Sequence, residues 1–292
     1  MAAIDVPELD YTRYTNRQLV AIPLAVLAVA LLVVAATFAL TGAPVAPGIE
    51  FTGGTEVQVS GASSAAEVEA AFDERLPFET TSVQQAGDTY IATFQVTTNA
   101  EVDQVTTAAG EAGYTVESVQ SRSATFGAES QRQALIGVVV AFVGMSLLVA
   151  VLFRTFVPSL AVVASAFSDI MIPVALMNLF GIKLTLGTVA ALLMLIGYSV
   201  DSDLLLNNHI LRRSGDFYES TYRARRTGVT MTLTSLAAVS VMTIVSSPLV
   251  FGIPLLPEVG IILVFGLAAD LMNTYLLNVS LLRYYMYEGI AK

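Results

Sequence analysis

Residues 191–213 read ALLMLIGYSVDSDLLLNNHILRR, an apolar run long enough to cross a bilayer that nevertheless contains two carboxylates, Asp201 and Asp203. A charge near the centre of a membrane costs at least ~2.5–3.5 kcal/mol on insertion scales, so such residues usually face a protein interior or a water path. Asp169 and Asp270 repeat the pattern in two other apolar runs. The chain is therefore predicted to handle protons, ions or a substrate inside a membrane.

The composition is that of a polytopic membrane protein. Of 292 residues, 55% are hydrophobic and only 13% are charged, whereas a soluble domain carries roughly 25% charged residues. The first apolar run is longer than the hydrophobic part of a signal peptide and is interpreted as a retained anchor. Six transmembrane helices are predicted, at Leu19–Leu40, Ala134–Phe153, Pro158–Phe180, Leu184–Asn207, Val229–Ser246 and Glu258–Leu282.

The basic residues predict the orientation of these spans. With the N-terminus in the cytoplasm, ten Lys and Arg fall on the inner side and four on the outer side, as the positive-inside rule requires. Both termini are therefore predicted to be cytoplasmic, in the cell membrane. The resulting regions are a cytoplasmic N-terminus (1–18), the first transmembrane helix (19–40), an extracytoplasmic domain (41–131), a five-helix transmembrane region (132–283) with a cytoplasmic loop (208–228), and a cytoplasmic C-terminus (284–292).

The extracytoplasmic segment follows a hinge-like stretch, Thr41–Gly48, and is predicted to be a small α+β domain between helices 1 and 2. Alternating and helical apolar patterns give the order β-α-β-β-α-β, which is the ferredoxin-like arrangement. The predicted elements are strands at Glu56–Ser60, Thr80–Gln85, Tyr90–Val96 and Tyr114–Gln120, and helices at Ala65–Leu76 and Ala100–Ala112. Ser63 or Ser64 is expected to cap the first helix and Asn99 the second.

The charges and cysteines restrict the function. Residues Thr41–Ser130 hold thirteen Asp and Glu against Arg75 and Arg122, so 2 − 13 gives −11 for a chain whose net charge is −10. This acidity argues against nucleic-acid binding. Together with only two lysines in the chain it is typical of halophiles; an ordinary acidic exported domain is the alternative. The absence of cysteine excludes disulfides, thiol catalysis and thiolate metal sites.

Helical geometry separates the membrane carboxylates into different faces. Asp201 and Asp203 are two positions apart and so do not share a face. Asp201 lies deeper in the span, and we favour it over Asp203, which could instead snorkel or cap. In the sixth span, Asp270, Asn273 and Thr274 share a face. With Asp169 these residues are interpreted as a polar path for protons or ions; the alternative is that they are packing contacts, hydrogen-bonded across helices.

Two segments resemble the SecD/SecF family of protein-export accessory subunits. GIEFTGGTEVQV (Gly48–Val59) resembles the family signature G-[IV]-[DE]-F-x-G-G-T through Gly48, Phe51, Gly53, Gly54 and Thr55. Ser168–Asp203 resembles the third and fourth spans of the family, including its G-Y-S motif at Gly197, Tyr198 and Ser199. The larger subunit, SecD, normally has a longer outer region, so the length is typical of the smaller, SecF-type subunit.

This resemblance implies a function and a set of partners. Members belong to the resistance-nodulation-division superfamily, and their six-span subunits pair into a twelve-span unit. The implied partners are SecD, the SecY channel, a translocating polypeptide and membrane lipids, and the implied function is export assisted by the proton motive force. A shift in one family motif, described below, together with the acidity and the low lysine content, indicates an archaeal and halophilic source. No enzyme activity, cofactor or metal is expected.

The chain departs from the bacterial pattern at one motif. Bacterial members typically read G-Y-S-[IVL]-N-D-[ST], whose Asn, Asp and Ser/Thr fall here on Asp201, Ser202 and Asp203. Asp169 does match the third-span acid of the family. The main alternative function is a homodimeric, proton-driven exporter of lipids or small molecules from the same superfamily. An intramembrane aspartyl protease is disfavoured because its G-x-G-D loop is absent, and a passive scaffold is a further alternative.

Overall fold

The structure is a computed structural model that describes residues 10–212, 216–247, 250–251, 253 and 255–287. Within these ranges six helical stretches are long and apolar enough to span a membrane, which confirms the predicted number. They comprise α1 (Asn16–Thr41), α5 (Ala124–Phe153), α6 (Phe156–Phe180), α7 (Leu186–Arg212), α8 (Phe217–Ser246) and a sixth stretch that begins with α9 (Leu256–Met272).

The sixth stretch changes its helical form midway. After α9, residues Asn273–Asn278 form a π-helical segment, and α10 (Val279–Tyr287) continues the same rod. Such wide turns are rare and occur frequently at functional sites. Sequence reasoning missed this segment, because its residues fit an ordinary helical pattern equally well.

A small sheet domain lies between α1 and α5. A four-residue helix α2 (Ile49–Thr52) leads into β1 (Gly54–Ser60), α3 (Ala65–Arg75), β2 (Ser82–Ala86), β3 (Thr89–Phe94), α4 (Asn99–Glu111) and β4 (Thr115–Arg122). The strand order is β2-β3-β1-β4 and all pairs are antiparallel. The β-α-β-β-α-β order predicted from the sequence is therefore confirmed.

The sheet buries one face under its two helices. Val57 and Val59 of β1 alternate into a core with Phe72 of α3, Phe94 of β3 and Val105 of α4, and all five are fully buried. The Phe72 and Phe94 rings meet edge to face, with centroids 5.1 Å apart. The opposite face of β1 carries Glu56 and Gln58, which is the polar alternation that a half-buried strand requires.

Several element boundaries differ from the prediction. Thr98, not Asn99, caps α4, because the Thr98 hydroxyl accepts from the Glu101 amide while the Glu101 side chain accepts from the Thr98 amide. Helix α5 begins at Ala124 rather than Ala134, and α8 begins at Phe217, so both extend into segments predicted to lie outside the membrane. Arg213 and the end of the C-terminal region, 288–292, lie outside the described residues.

The membrane helices form an inner and an outer set. Helices α6, α7 and α9 contact one another and are largely buried, whereas few residues in the spans of α1, α5 and α8 are buried. Leu195 on α7 and Ile262 on α9 belong to the core between the inner helices. The inner set carries the three aspartates Asp169, Asp203 and Asp270, so charged groups lie where the protein, and not lipid, surrounds them.

Candidate functional site

Asp169 lies near the middle of α6 and is almost completely buried. Its two carboxyl oxygens are held from two other helices. Ser199 Oγ of α7 donates to Oδ2 at 2.6 Å, and Asn273 Nδ2 of the π-helical segment donates to Oδ1 at 2.6 Å. The third-span acid is therefore held by the fourth and sixth spans at once.

Asp203, on α7, is also fully buried. Its Oδ1 accepts from Asn278 Nδ2 at 2.7 Å and from Thr274 Oγ1 at 2.9 Å, and both donors belong to the π-helical segment. That segment therefore forms one wall of the site around Asp203.

Asp270, on α9, completes the set. Ser202 Oγ lies 2.6 Å from Asp270 Oδ1, and Thr274 Oγ1 lies 3.3 Å from the same oxygen. Because Thr274 also contacts Asp203, its hydroxyl links two carboxyls. We refer to Asp169, Asp203 and Asp270, with the side chains that bond them, as the carboxyl cluster.

Several buried polar atoms around the carboxyl cluster have no hydrogen-bond partner. They are Asp203 Oδ2, Asn273 Oδ1, Asn278 Oδ1, and both amide atoms of Asn207, which lies one turn from Asp203 on α7. Buried polar groups are normally satisfied, and unsatisfied ones indicate water, an ion or a catalytic role. These atoms of the cluster are therefore available to bind water, a proton or a cation.

Asp201 is not part of the carboxyl cluster. The predicted separation of faces on α7 is present, since Ser199, Asp203 and Asn207 are buried, whereas Asp201 is exposed. The sequence favoured Asp201 as the more costly and more informative charge, and the structure instead buries Asp203 in the carboxyl cluster. The greater depth of Asp201 in the span did not decide its surroundings, because helix packing set which face of α7 meets α6 and α9.

The other polar residues predicted for the site lie next to the carboxyl cluster. Asn273 and Thr274 are fully buried and each bonds a carboxyl of the cluster. Sequence analysis did not single out Ser202 and Asn278 as site residues, although both bond the cluster directly. Ser202 occupies the position of the bacterial family's acid, so a hydroxyl that contacts Asp270 stands there instead of a carboxylate.

The Gly48–Thr55 motif, which follows α1, makes contacts that hold the fold together. The amide of Gly48 donates to the Leu184 carbonyl at 2.8 Å, and Phe51 is buried beside it. Gly53 has a φ of 75°, and a Cβ there would lie 2.7 Å from the backbone of Ala124 at the start of α5. Thr55 is fully buried, and its hydroxyl donates to the Val96 carbonyl at 2.7 Å. These residues connect the sheet domain to the membrane helices.

The predicted hinge is tied to the loop between α6 and α7. We refer to Pro44–Gly48 as the neck and to Gly181–Thr185 as the hairpin loop. Pro47 and Leu184 pair in a parallel bridge, and the Leu184 amide donates to the Ala46 carbonyl at 2.8 Å. Val45 is buried in the bundle core. The neck is therefore fixed to the helices that carry Asp169 and Asp203.

A polar cavity of about 120 Å³ lies between the sheet and the membrane helices. Glu56 from β1, Lys183 from the hairpin loop and Glu258 from α9 line it, together with Glu50 and Arg122. Burial raises the pKa of Glu56; Lys183 acts in the opposite direction and Glu50 in the same one. Charged groups from the sheet domain and from the membrane helices therefore face one another across this cavity.

The comparisons with known proteins confirm the resemblance. A sequence model of the family described as "Protein export membrane protein SecD/SecF, C-terminal" matches residues 101–288. The chain is 63% identical over 292 residues to the protein-export membrane protein SecF of Haloferax volcanii, with 100% of both chains covered. The SecF of Haloquadratum walsbyi is 60% identical over 296 residues, also with 100% of both covered. The chain belongs to the SecD/SecF family of protein-export membrane proteins.

A solved structure shows the same fold. The crystal structure of SecDF, a translocon-associated membrane protein from Thermus thermophilus, matches with a TM-score of 0.76 at 19% identity. The match covers 98% of this chain and 40% of that one, so this chain spans about two fifths of the solved protein. The haloarchaeal relatives confirm the prediction of an archaeal, halophilic member. Their names refer to protein export and not to an enzyme, and they do not favour the alternative of a lipid or small-molecule exporter.

Proposed function

We propose that the chain is a SecF-type subunit that pairs with a SecD subunit and assists export of polypeptides through the SecY channel. In this proposal the proton motive force drives export, and the carboxyl cluster is the site at which the protons act. The observation that carries it is the burial of three aspartates from three different spans, each held by side-chain hydrogen bonds from a neighbouring span.

The charge balance of the carboxyl cluster supports proton or cation handling. No salt bridge between described residues involves Asp169, Asp203 or Asp270. Several unpaired negative charges cannot coexist at low dielectric without a large penalty. A proton or a cation must therefore neutralise the cluster, and its gain or loss changes the hydrogen bonds that Ser199, Ser202 and Thr274 make between helices. Ion movement and helix movement are coupled in this way.

The exposed face of α7 supports pairing with a second subunit. Gly197, Tyr198 and Asp201 recur at helical spacing along that face, and all three are exposed at the depth of the membrane. A carboxylate facing lipid is costly. We infer that a SecD subunit covers this face, so that Asp201 contributes to subunit association and not to the carboxyl cluster.

The proposed orientation places both termini in the cytoplasm and the sheet domain outside. Its support is the distribution of basic residues, which favours the side opposite the sheet domain by ten to four. In this orientation the carboxyl cluster lies within the membrane between the two aqueous compartments, as a path for protons requires.

The test of the ion path is an export assay with paired neutral variants. Asp169→Asn and Asp203→Asn keep the size of each side chain but remove the group that binds and releases a proton. We expect each variant to lose the part of export that depends on the gradient while its membrane abundance and the gradient-independent part persist. Export is measured in inverted membrane vesicles with and without an uncoupler.

Asp103→Asn, on the exposed side of α4 in the sheet domain, is the matched control and is expected to export like the wild type. Gradient-dependent export that survives in both cluster variants would contradict the ion path. The SecF-type assignment, which rests on the relatives, would remain.

A further inference from the structure

A short segment before α1 folds against the end of the sixth span, on the side of the bundle opposite the sheet domain. We call residues Asp10–Tyr14 the strap. Tyr11–Arg13 form a single 3₁₀ turn that Asp10 caps, with Asp10 Oδ1 accepting from the Thr12 amide at 3.1 Å and from its hydroxyl at 2.5 Å. These hydrogen bonds lower the pKa of Asp10, so its charged form stabilises the turn. The strap is thus a locally ordered element.

Tyr11 inserts from the strap into the bundle. Its side chain is 0% exposed, and its ring lies 6.0 Å from that of Tyr222 on α8. Its hydroxyl donates to the backbone carbonyl of Tyr275 at 3.1 Å. Tyr275 lies inside the π-helical segment, directly after Thr274, so the strap reaches the backbone that carries the donors of the carboxyl cluster.

A second attachment joins the strap to the same helical rod. Arg283 on α10 donates from Nη1 to the Tyr11 carbonyl at 2.8 Å and from Nη2 to the Tyr14 carbonyl at 3.0 Å. The strap is therefore bonded to the sixth span at two places, the π-helical segment and α10. An element with only a packing role would not need both polar attachments.

The Tyr11 hydrogen bond matters because its acceptor, the Tyr275 carbonyl, lies in the π-helical segment. A π turn departs from the regular i→i−4 ladder and is rare, and contacts from outside the helix can support it. A hydroxyl that donates to the Tyr275 carbonyl provides such support from outside the helix. On one side of Tyr275, Thr274 contacts Asp203 and Asp270; on the other, Asn278 contacts Asp203.

We propose that Tyr11 is a positioning residue for the carboxyl cluster, because its hydroxyl holds the π-helical segment in the form that directs Thr274 and Asn278 at Asp203. The proposal rests on the proposed function in taking the cluster as the working site. It adds that a segment outside the spans sets the geometry of that cluster.

The test measures how readily Asp203 reacts with a hydrophobic carbodiimide in membranes containing the full chain. The chain has no cysteine, so thiols of this chain do not compete for the reagent. Modification of Asp203 is quantified by mass spectrometry relative to Asp201, which is exposed on the same helix. We expect Tyr11→Phe, which removes only the hydroxyl, to raise this ratio about fivefold, the population change that corresponds to loss of one buried hydrogen bond.

Two controls separate positioning from general destabilisation. Tyr14→Phe removes a hydroxyl from a strap side chain that is 44% exposed, and it is expected to leave the ratio unchanged. Gly127→Ala is expected to destabilise the chain at the junction with the sheet domain, far from the strap. If Tyr11 had only a general structural role, Gly127→Ala would raise the ratio as well.

Arg283→Gln is the second test variant, since it releases the strap backbone while leaving the Tyr11 side chain intact. We expect it to raise the ratio in the same direction. An unchanged ratio in Tyr11→Phe, or an equal rise in Tyr14→Phe, would overturn the proposal. If gradient-dependent export survives in both Asp169→Asn and Asp203→Asn while Tyr11→Phe still raises the ratio, the ion path of the proposed function fails and the positioning role stands. If Asp203→Asn loses gradient-dependent export while Tyr11→Phe leaves the ratio unchanged, the positioning role fails and the proposed function stands.

Discussion

At the scale of single residues, two aspartates two positions apart have opposite environments. Asp203 accepts two hydrogen bonds inside the carboxyl cluster, whereas Asp201 is exposed on the outer face of α7. The difference arises from helix geometry, because positions two apart lie roughly 200° apart around the axis. Depth in the membrane alone is therefore a poor guide to which carboxyl group is buried in the bundle.

Small residues determine how closely the sheet domain approaches the membrane helices. A Cβ on Gly127, near the start of α5, would lie 2.7 Å from the Gly53 amide nitrogen and 2.8 Å from the Phe51 carbonyl oxygen. These are backbone atoms, which cannot rotate away as the end of a side chain could. Gly127 therefore allows α5 to lie against the Gly48–Thr55 motif.

We expect Gly127→Ala to destabilise the chain by about 1–3 kcal/mol, the usual cost of overpacking a well-filled contact. Gly137→Ala, in the same helix with nothing within 4 Å of the added carbon, is the matched control. It is expected to be neutral or stabilising, since alanine favours helix over glycine by about 1 kcal/mol. Thermal unfolding midpoints of the two purified variants in detergent give the comparison, and equal midpoints would contradict the close contact.

At the scale of elements, the neck and the hairpin loop behave as one unit. The parallel bridge between Pro47 and Leu184, with the buried Val45, ties the entry to the sheet domain to the turn between α6 and α7. A rearrangement of α6 and α7 that follows a change at Asp169 or Asp203 would therefore move the sheet domain directly. In such a rearrangement the bonded contact, and not the flexibility expected of a Pro- and Gly-rich stretch, would transmit the movement.

A cross-link tests whether the neck acts as a hinge. The pair Pro47→Cys and Leu184→Cys places two thiols on bridged strands in a chain without other cysteines, so we expect one disulfide to form readily on oxidation. Since both positions belong to one unit, export should be the same in the oxidised and reduced forms. Pro47→Cys with Gly61→Cys, beyond the far end of β1, is the control pair and should not cross-link. Loss of export on oxidation, restored by a reductant, would show instead that the neck has to open.

At the scale of the whole molecule, the six-helix bundle has a polar outer face that a single subunit leaves uncovered. Tyr198 on α7 is 45% exposed and lies in the same stripe as Gly197 and Asp201. The solved SecDF structure is a longer chain, of which this fold covers 40%. We therefore expect the bundle to associate with another subunit within the membrane, and that subunit to cover this face.

Asp201→Leu tests that association. If this face met lipid, leucine would be favoured over aspartate and assembly would not change. We expect instead that the variant loses most of the SecD subunit that co-purifies with the wild type in mild detergent at high salt. Leu32→Ala, at a 70% exposed position of α1, is the control for an outer face without polar groups. Equal recovery of the partner with Asp201→Leu and with the wild type would argue against α7 as the contact.

The secondary-structure elements could be predicted from local patterns in the chain. Six apolar runs, the β-α-β-β-α-β order and the two faces of α7 follow from hydrophobic length and from periods of two and 3.6 residues, which are local properties of the chain. The burial of Asp169, Asp270, Asn273 and Thr274 also followed, because a polar residue in an apolar span has few alternatives to a protein interior.

Which of these residues contact one another depends on the tertiary structure. It selected Asp203 over Asp201, brought Ser202 and Asn278 into the carboxyl cluster, and bonded the neck to the hairpin loop and Tyr11 to the Tyr275 carbonyl. The physical reason is that periodicity shows which residues share a face but not which neighbour covers that face. The π-helical segment likewise has no local signature, because its side chains are stabilised by partners that lie far away in the sequence.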